Sequence, residues 1–246
     1  MQHFSILILT KNEEKNIGRC LESVKNMGAE TMVLDDNSSD TTVNIARVYG
    51  ATVYVQAFGN DFAKARNKAI LKAKSRYILF IDADEVVSNA MRDYILQIPE
   101  TTHVGAFAFK RIDYFWGKQM RFGEVGNLYT TRFVNKSSGA FVRSVHEVWS
   151  GTHIQKVTHP LYHYPHTTIA TFLDSINLYS TLNANYMQKQ GKKVGLLEIV
   201  TVPLGKFLYT YIVQFGFLDG MAGFVYSFMM SFHSFLTRAK VYTGKK

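Results

Sequence analysis

One cysteine, Cys20, stands in 246 residues, so an internal disulfide and a cysteine-rich zinc site are both excluded. It falls among Ile17, Leu21 and Val24 at helical spacing, where a core residue is expected. The amino terminus, Met1-Gln2-His3-Phe4, lacks a basic segment followed by an apolar one; no secretory leader is expected and the chain reads as cytosolic. Without secretion, the glycosylation-like triplets at Asn37 and Asn135 mean little. No Gly-x-Gly-x-x-Gly follows the first apolar segment, and no Gly-x-x-x-x-Gly-Lys-Ser/Thr occurs anywhere. Phosphate, if the protein holds any, must then be met by a metal and by basic side chains. A formal charge of +9 would suit nucleic acid, but no recognised DNA- or RNA-binding motif accompanies it, and no nucleic-acid partner is expected.

What is present is globular in balance, with 47% hydrophobic and 19% charged residues, enough for one large domain or one domain with an appendage. Aromatics are abundant, 18 Phe and 14 Tyr. The positive charge is uneven: from Thr181 onward eight Lys/Arg stand against Glu198 and Asp219, which is +6 of the total +9. Basic charge beside aromatic and apolar residues suits an anionic membrane surface.

Along the chain, Phe4 to Thr10 reads as a buried strand, and Ile17, Leu21, Val24 and Met27 mark a helix that Gly28 ends. Thr31 to Leu34 is a second strand, followed by Asp35-Asp36-Asn37-Ser38-Ser39-Asp40 and a helix through Ile45, Ala46 and Tyr49 that Gly50 closes. Thr52 to Val55 is a third strand. Asp61 caps a helix carrying Phe62, Ala65, Ala69, Ile70 and Ala73. Tyr77-Ile78-Leu79-Phe80-Ile81 then runs straight into Asp82-Ala83-Asp84-Glu85. Strands alternating with helices predict a mostly parallel, wound α/β sheet. A run this apolar predicts a strand buried on both faces, with its acids at the ligand-binding edge. Asp-Ala-Asp there suits a hard divalent cation carrying phosphate oxygens, or simply a soluble acidic turn.

Four segments carry a resemblance. They are Ser-Ile-Leu-Ile-Leu-Thr-Lys-Asn-Glu-Glu, Val-Leu-Asp-Asp-Asn-Ser-Ser-Asp-Thr-Thr, Ala-Lys-Ala-Arg-Asn-Lys-Ala and Phe-Ile-Asp-Ala-Asp-Glu, in that order between residues 4 and 85. Together they resemble the family 2 glycosyltransferases of the GT-A fold, which use nucleotide-diphosphate sugars. The short second half and apolar basic tail are similar to small bacterial enzymes that add hexose to the inner core of lipopolysaccharide. The resemblance implies a GT-A catalytic domain over 1–166, with a nucleotide-sugar half (1–100) and an acceptor half (101–166). A helical extension, 167–246, would associate with membrane or dimerise. It implies that Thr10, Asn12 and Glu13 line the nucleotide pocket, that Asp35 and Asp36 accept hydrogen bonds from base or ribose, and that Arg66 meets the diphosphate. Asp82 would face ribose or metal, and Asp84 would bind Mg²⁺ or Mn²⁺. Asp35/Asp36 could equally be turn and cap residues, and Arg66 a surface cation.

An inverting displacement needs a carboxylate to take the acceptor's proton. Val104 to Asp113 and Leu128 to Val134 read as strands, and Ala140-Phe141-Val142 leads to His146-Glu147. A similar His-Glu pair lies on the acceptor side in related transferases, which implies Glu147 as base, with Asp113, Glu124 and Glu85 as rivals. Among His153, His159, His163 and His166, His163 is best placed to complete the metal site, unless it is a structural histidine. Trp116, Tyr114 and Trp149 are either sugar-stacking or core residues. From Thr168 a helix should run to about Gln190, with Phe172, Ile176, Tyr179, Leu182 and Tyr186 along it. The uncharged run Gly220 to Thr237 is at the lower limit for a membrane span, and flanking lysines favour helices lying in the interface. The expectation is an inverting transfer of hexose from a UDP-sugar to a lipid-linked saccharide such as lipopolysaccharide inner core, by a peripheral enzyme on the cytoplasmic face of the inner membrane. The alternatives are a polyprenyl-phosphate sugar synthase and a non-catalytic nucleotide-sugar-binding membrane protein. Helix packing onto a second copy is the other use of the tail.

Overall fold

The computed structural model describes residues 4–28, 30–59, 61–143, 148–165 and 168–244. Four strands, β1 (Phe4–Thr10), β2 (Glu30–Asp35), β3 (Thr52–Val55) and β4 (Tyr77–Asp82), alternate with α1 (Ile17–Val24), α2 (Thr42–Val48) and α3 (Phe62–Ile70). They pair in parallel in the order β3-β2-β1-β4, as the alternation predicts. The chain steps outward from β1 to β3 and returns on the other side of β1, so the winding reverses between β1 and β4. A reversal of this kind opens a crevice at the carboxyl ends of the strands.

Strand alternation divides the core. Phe4, Ile6, Ile8, Leu79 and Ile81 pack with Ile17, Cys20, Leu21 and Val24 of α1 on one face. Leu7, Leu9, Ile78 and Phe80 pack with Ala63, Ala65 and Ala69 of α3 on the other. The apolar runs Ile6–Leu9 of β1 and Tyr77–Ile81 of β4 are thus buried on both sides. Asp61 caps α3 as expected, its Oδ1 accepting from the Lys64 N–H at 2.9 Å.

Beyond β4 come β5 (Glu85–Val87), α4 (Asn89–Gln97), β6 (Ala106–Phe115), β7 (Lys118–Gln119), β8 (Leu128–Asn135), β9 (Phe141–Val142), β10 (Val148–Trp149) and β11 (Ile154–His163). The sheet continues β4-β8-β6-β11-β5. β8 is antiparallel to β4, with Leu79 opposite Phe133, and β11 is antiparallel to β5, with His163 opposite Glu85. The helices α5 (Ile169–Lys189), α6 (Leu196–Leu208) and α7 (Gly220–Thr243) follow. Thr168 caps α5 reciprocally with Thr171, which fixes the helix start where the sequence placed it.

Two compact units result, one of residues 1–111 and 129–163, the other of 112–128 and 164–246. Residues 112–128 group with the C-terminal helices. In the second unit Phe115, Met120 and Val125 share a core with Phe172, Ile176, Ala222 and Met229, which explains the grouping.

Candidate active site

The carboxyl ends of β2, β1 and β4 lie side by side, with Thr10 opposite Asp35 and Leu9 opposite Asp82. The Thr10 hydroxyl is buried there without a hydrogen-bond partner. Beyond it the chain turns at Asn12, whose φ of 53° lies in the left-handed region that asparagine tolerates. The Asn12 N–H donates to Ser38 Oγ at 2.8 Å, and its Oδ1 accepts from the Ser39 N–H at 2.8 Å. Glu13 donates its N–H to Thr42 Oγ1 at 2.8 Å. These bonds lock the loop after β1 onto the loop after β2.

The Asp35 side chain is fully buried, and both oxygens are taken by Ser38, from the N–H at 2.8 Å and the hydroxyl at 2.5 Å, so it shapes the loop. Asp36 accepts from the Phe58 N–H and from Lys11 Nζ, both at 2.8 Å.

Asp82 is held between two arginines. Its Oδ1 accepts from Arg66 Nη2 at 2.6 Å and its Oδ2 from Arg132 Nη2 at 2.5 Å. Arg132 also donates to Glu85 Oε1 at 2.6 Å, and Glu85 Oε2 accepts the Asp82 N–H at 3.0 Å. Burial alone would raise the Asp82 carboxyl, but Arg132 and then Arg66 hold it well below the usual carboxylate range. Glu85 is fully enclosed and goes the other way, raised by burial and by Asp82 against the pull of Arg132. Arg66 is buried with its guanidinium 5.6 Å from the Phe80 ring centre and 5.4 Å from that of Phe141, so it braces Asp82 rather than lying on the surface.

Asp84 and His163, 79 positions apart, meet because β11 pairs with β5. His163 Nε2 lies 3.3 Å from Asp84 Oδ2, and the Asp84 side chain keeps 24% of its surface open. Burial pushes the Asp84 carboxyl up, but His163 outweighs it and the net shift is downward, with Arg111 adding to the fall. Glu13 is raised to about 7, first by burial and further by Asp84, Asp40 and Asp82, while its hydrogen bond from Asn16 opposes the shift.

The proposed base, Glu147, lies outside the described residues, as does its neighbour His146. The strands on either side of that segment pair antiparallel, Phe141 with Trp149 and Val142 with Val148. Of the rivals, Glu85 is sealed against Arg132, Asp113 is buried in the second unit, and Glu124 pairs there with Lys206 at 3.2 Å. Trp149 is core, packed edge-on at 5.1 Å from Phe141. Sequence reasoning missed Arg132, although a lone charge inside the otherwise uncharged strand Leu128–Val134 was a usable signal. Lys11, the partner of Asp36, was also missed.

A family model described as glycosyl transferase family 2 matches residues 5–131, just over half of the chain. The chain is a family 2 glycosyl transferase. This family 2 enzyme is 30% identical over 260 residues to an uncharacterised glycosyltransferase of Rickettsia prowazekii, covering 98% of this chain and 87% of the relative. It is 25% identical over 247 residues to the lipopolysaccharide core biosynthesis glycosyltransferase LpsC of Rhizobium meliloti, covering 97% and 91%. Among solved structures, the mannosyltransferase PcManGT of Pyrobaculum calidifontis, in complex with GDP-Man and Mn²⁺, superposes with a TM-score of 0.59 at 12% identity, over 100% of this chain and 88% of the other. Glucosyl-3-phosphoglycerate synthase of Mycobacterium tuberculosis, in complex with Mn²⁺, UDP and product, gives 0.51 at 16% identity, over 79% and 83%. These likenesses establish the GT-A-like fold of the family 2 transferase, a mixed α/β sheet followed by C-terminal helices.

Proposed function

We propose that this family 2 transferase moves a hexose, glucose by preference, from a UDP-sugar to a lipid-linked saccharide of the lipopolysaccharide inner-core kind, with inversion. The observation that carries the reading is the pairing of Asp84 with His163 beside an arginine-braced Asp82 at the reversal point of the sheet. These two groups, one carboxylate and one imidazole, would hold a Mg²⁺ or Mn²⁺ able to carry diphosphate oxygens. Among the described residues no cluster of three or more His, Cys, Asp or Glu that could hold a metal forms. When bound, the ion neutralises charge growing on the departing nucleoside diphosphate.

The chain's own residues do the rest. Asn12, Glu13 and Asp36 hold the loops that enclose base and ribose. Arg66 and Arg132 keep Asp82 ionised and fixed, so Asp82 binds and orients and does not exchange protons. The acceptor's proton then goes elsewhere, to Glu147, which removes it as the hydroxyl oxygen attacks the anomeric carbon and the diphosphate leaves from the opposite face. The donor choice is supported by solved relatives of this fold with UDP or UDP-GlcNAc bound, among them the Staphylococcus aureus TarS 1–349 structure at 16% identity and TM-score 0.53, over 98% of this chain and 88% of that one. The acceptor choice is supported by LpsC.

The test is a thermal-shift panel of nucleoside diphosphates with and without Mn²⁺, followed by labelling with UDP-sugar and either core saccharide or polyprenyl phosphate. Stabilisation by UDP only with metal, and label in the saccharide, is expected. Stabilisation by GDP alone would overturn the donor, and label in polyprenyl phosphate would overturn the acceptor.

A further inference from the structure

The second unit leaves apolar residues uncovered in an ordered way. On α6 and the turn beyond it, Leu197, Val200, Leu204, Leu208 and Ile212 recur at steps of three or four and are all exposed, Leu197 by 76%. On the opposite side of α6, Pro203 is buried, and its carbonyl accepts from Ser231 Oγ of α7 at 2.7 Å. The turn between α6 and α7 adds Val213, Phe215, Phe217 and Leu218, and α7 opens with Met221, 71% exposed. Between Phe207 and Thr237 the only charged residue is Asp219, and it is 2% exposed.

That apex is built, not frayed. Asp219 Oδ2 accepts the N–H groups of Arg121 at 3.0 Å and Phe122 at 2.9 Å, and Lys118 Nζ donates to its carbonyl at 2.6 Å. Gly123 donates its N–H to the Gln214 carbonyl at 2.9 Å. The same bonds bring the Lys118 ammonium and the backbone of Arg121, whose side chain is exposed, to the base of the apolar apex. Lys189, Lys192 and Lys193, all exposed, precede α6.

We propose that the α6–α7 apex, Tyr209 to Met221, seats in the headgroup and upper acyl region of an anionic phospholipid bilayer, with Lys118, Arg121, Lys192 and Lys193 facing the lipid phosphates. An apolar surface free of exposed charge and flanked by cations, with the nearby acid Glu124 paired with Lys206, complements anionic lipid. A face shared by two copies of the chain would bring these like charges together. Leu196 to Val213 is long and apolar enough to cross a membrane, with a mean hydropathy of 1.5. However, it contains Glu198 and Lys206, the latter paired with Glu124 at 3.2 Å, and Ser231 ties it to α7, so it lies along the surface. This seat stands apart from the choice of donor sugar, because it needs neither nucleotide nor acceptor.

The experiment is co-sedimentation of the full chain with vesicles of phosphatidylcholine, alone or mixed with phosphatidylglycerol, without sugar nucleotide. Wild type should pellet with the mixed vesicles, less with phosphatidylcholine alone, and less again at high salt. The double variant Ile212→Asp/Leu218→Asp should partition at least about tenfold more weakly, since two large apolar side chains no longer enter the lipid. Lys192→Glu/Lys193→Glu should lose the preference for phosphatidylglycerol. Circular-dichroism melting of each variant, matching wild type, shows that the fold is kept. Wild type left in the supernatant with every vesicle, or a folded Ile212→Asp/Leu218→Asp protein that pellets as wild type does, overturns the proposal. A wild-type dimer by light scattering that the same variant splits, with no vesicle binding, assigns the face to a second copy instead.

Discussion

In the first unit Ile6, Leu7, Ile8, Ile78, Leu79 and Phe80 are fully covered, and the charges crowd together at the strand ends. In the second, Leu197, Val200, Leu204, Ile212 and Met221 stand open to solvent, and the one acid of the apex is hidden. Buried charge and exposed apolar surface are the two arrangements that cost a folded protein most, and each unit carries one of them. In the sheet the cost is offset by pairing: Arg66 and Arg132 are shared between the carboxylates of Asp82 and Glu85. In the helices nothing within the second unit offsets it, which is why that surface calls for something outside the protein and the strand ends do not.

The sharpest way to separate the two is to cut the chemistry without touching the packing. Asp84→Ala should lower sugar transfer by roughly a thousandfold or more, since it removes the carboxylate proposed to hold the cation, while the melting temperature stays within about 2 °C of wild type. Full activity in that variant would sink the assignment. Arg132→Leu should do the reverse kind of damage. It leaves Asp82 and Glu85 facing each other without their shared cation, and chemical denaturation should show a loss of about 3–5 kcal/mol. A neutral result would mean that Arg66 alone suffices.

In the second unit, Asp219→Ala should cost about 2–3 kcal/mol through two lost charge-assisted hydrogen bonds. It should also weaken vesicle binding by loosening the apex; unchanged binding would show that the apex holds its shape without this anchor.

The smallest effect expected is on pH dependence. The Glu13 carboxyl sits at about 7 when folded, above its ordinary 4.5, so the folded state holds that proton more tightly than the unfolded state. Its contribution to stability is complete below about 4.5 and lost as pH rises to about 7. Glu13→Gln should therefore flatten the melting-temperature profile in that window, and a profile identical to wild type would show that Glu13 is not perturbed. Asp82 and Asp84, lowered instead, stabilise above the usual carboxylate range and lose that effect only in acid.

Much of the first unit was readable from residues alone because each of its elements is specified locally. β1 and β4 announce themselves as apolar runs, α1 by its four-three-three spacing, and α3 by its Asp61 cap. What depends on distant pairing was not readable in the same way. His163 reaches Asp84 only through the β5–β11 register, and Arg132 reaches Asp82 only because β8 runs antiparallel to β4. Asp35 holds its own turn through Ser38, and composition does not separate an acid that does this from one that points outward. The boundary between units was hidden inside β6, which runs unbroken from Ala106 to Phe115 across the division at residues 111 and 112. α6 escaped because its apolar stripe faces outward and Pro203, a helix breaker, stands inside it.

Cys20 has a use that follows from its position. Its thiol is fully buried, raised by that burial and by the acids around it, and it donates to the Asp82 carbonyl at 3.5 Å. Since it is the sole cysteine, the chain offers one chemical clock set under the strand end that carries Asp82. A thiol reagent can reach it only when that edge of the sheet opens, so its labelling rate times the opening. A nucleotide sugar that clamps the strand end should slow the clock, and a cysteine introduced at Leu218 would keep a second, faster time at the apex.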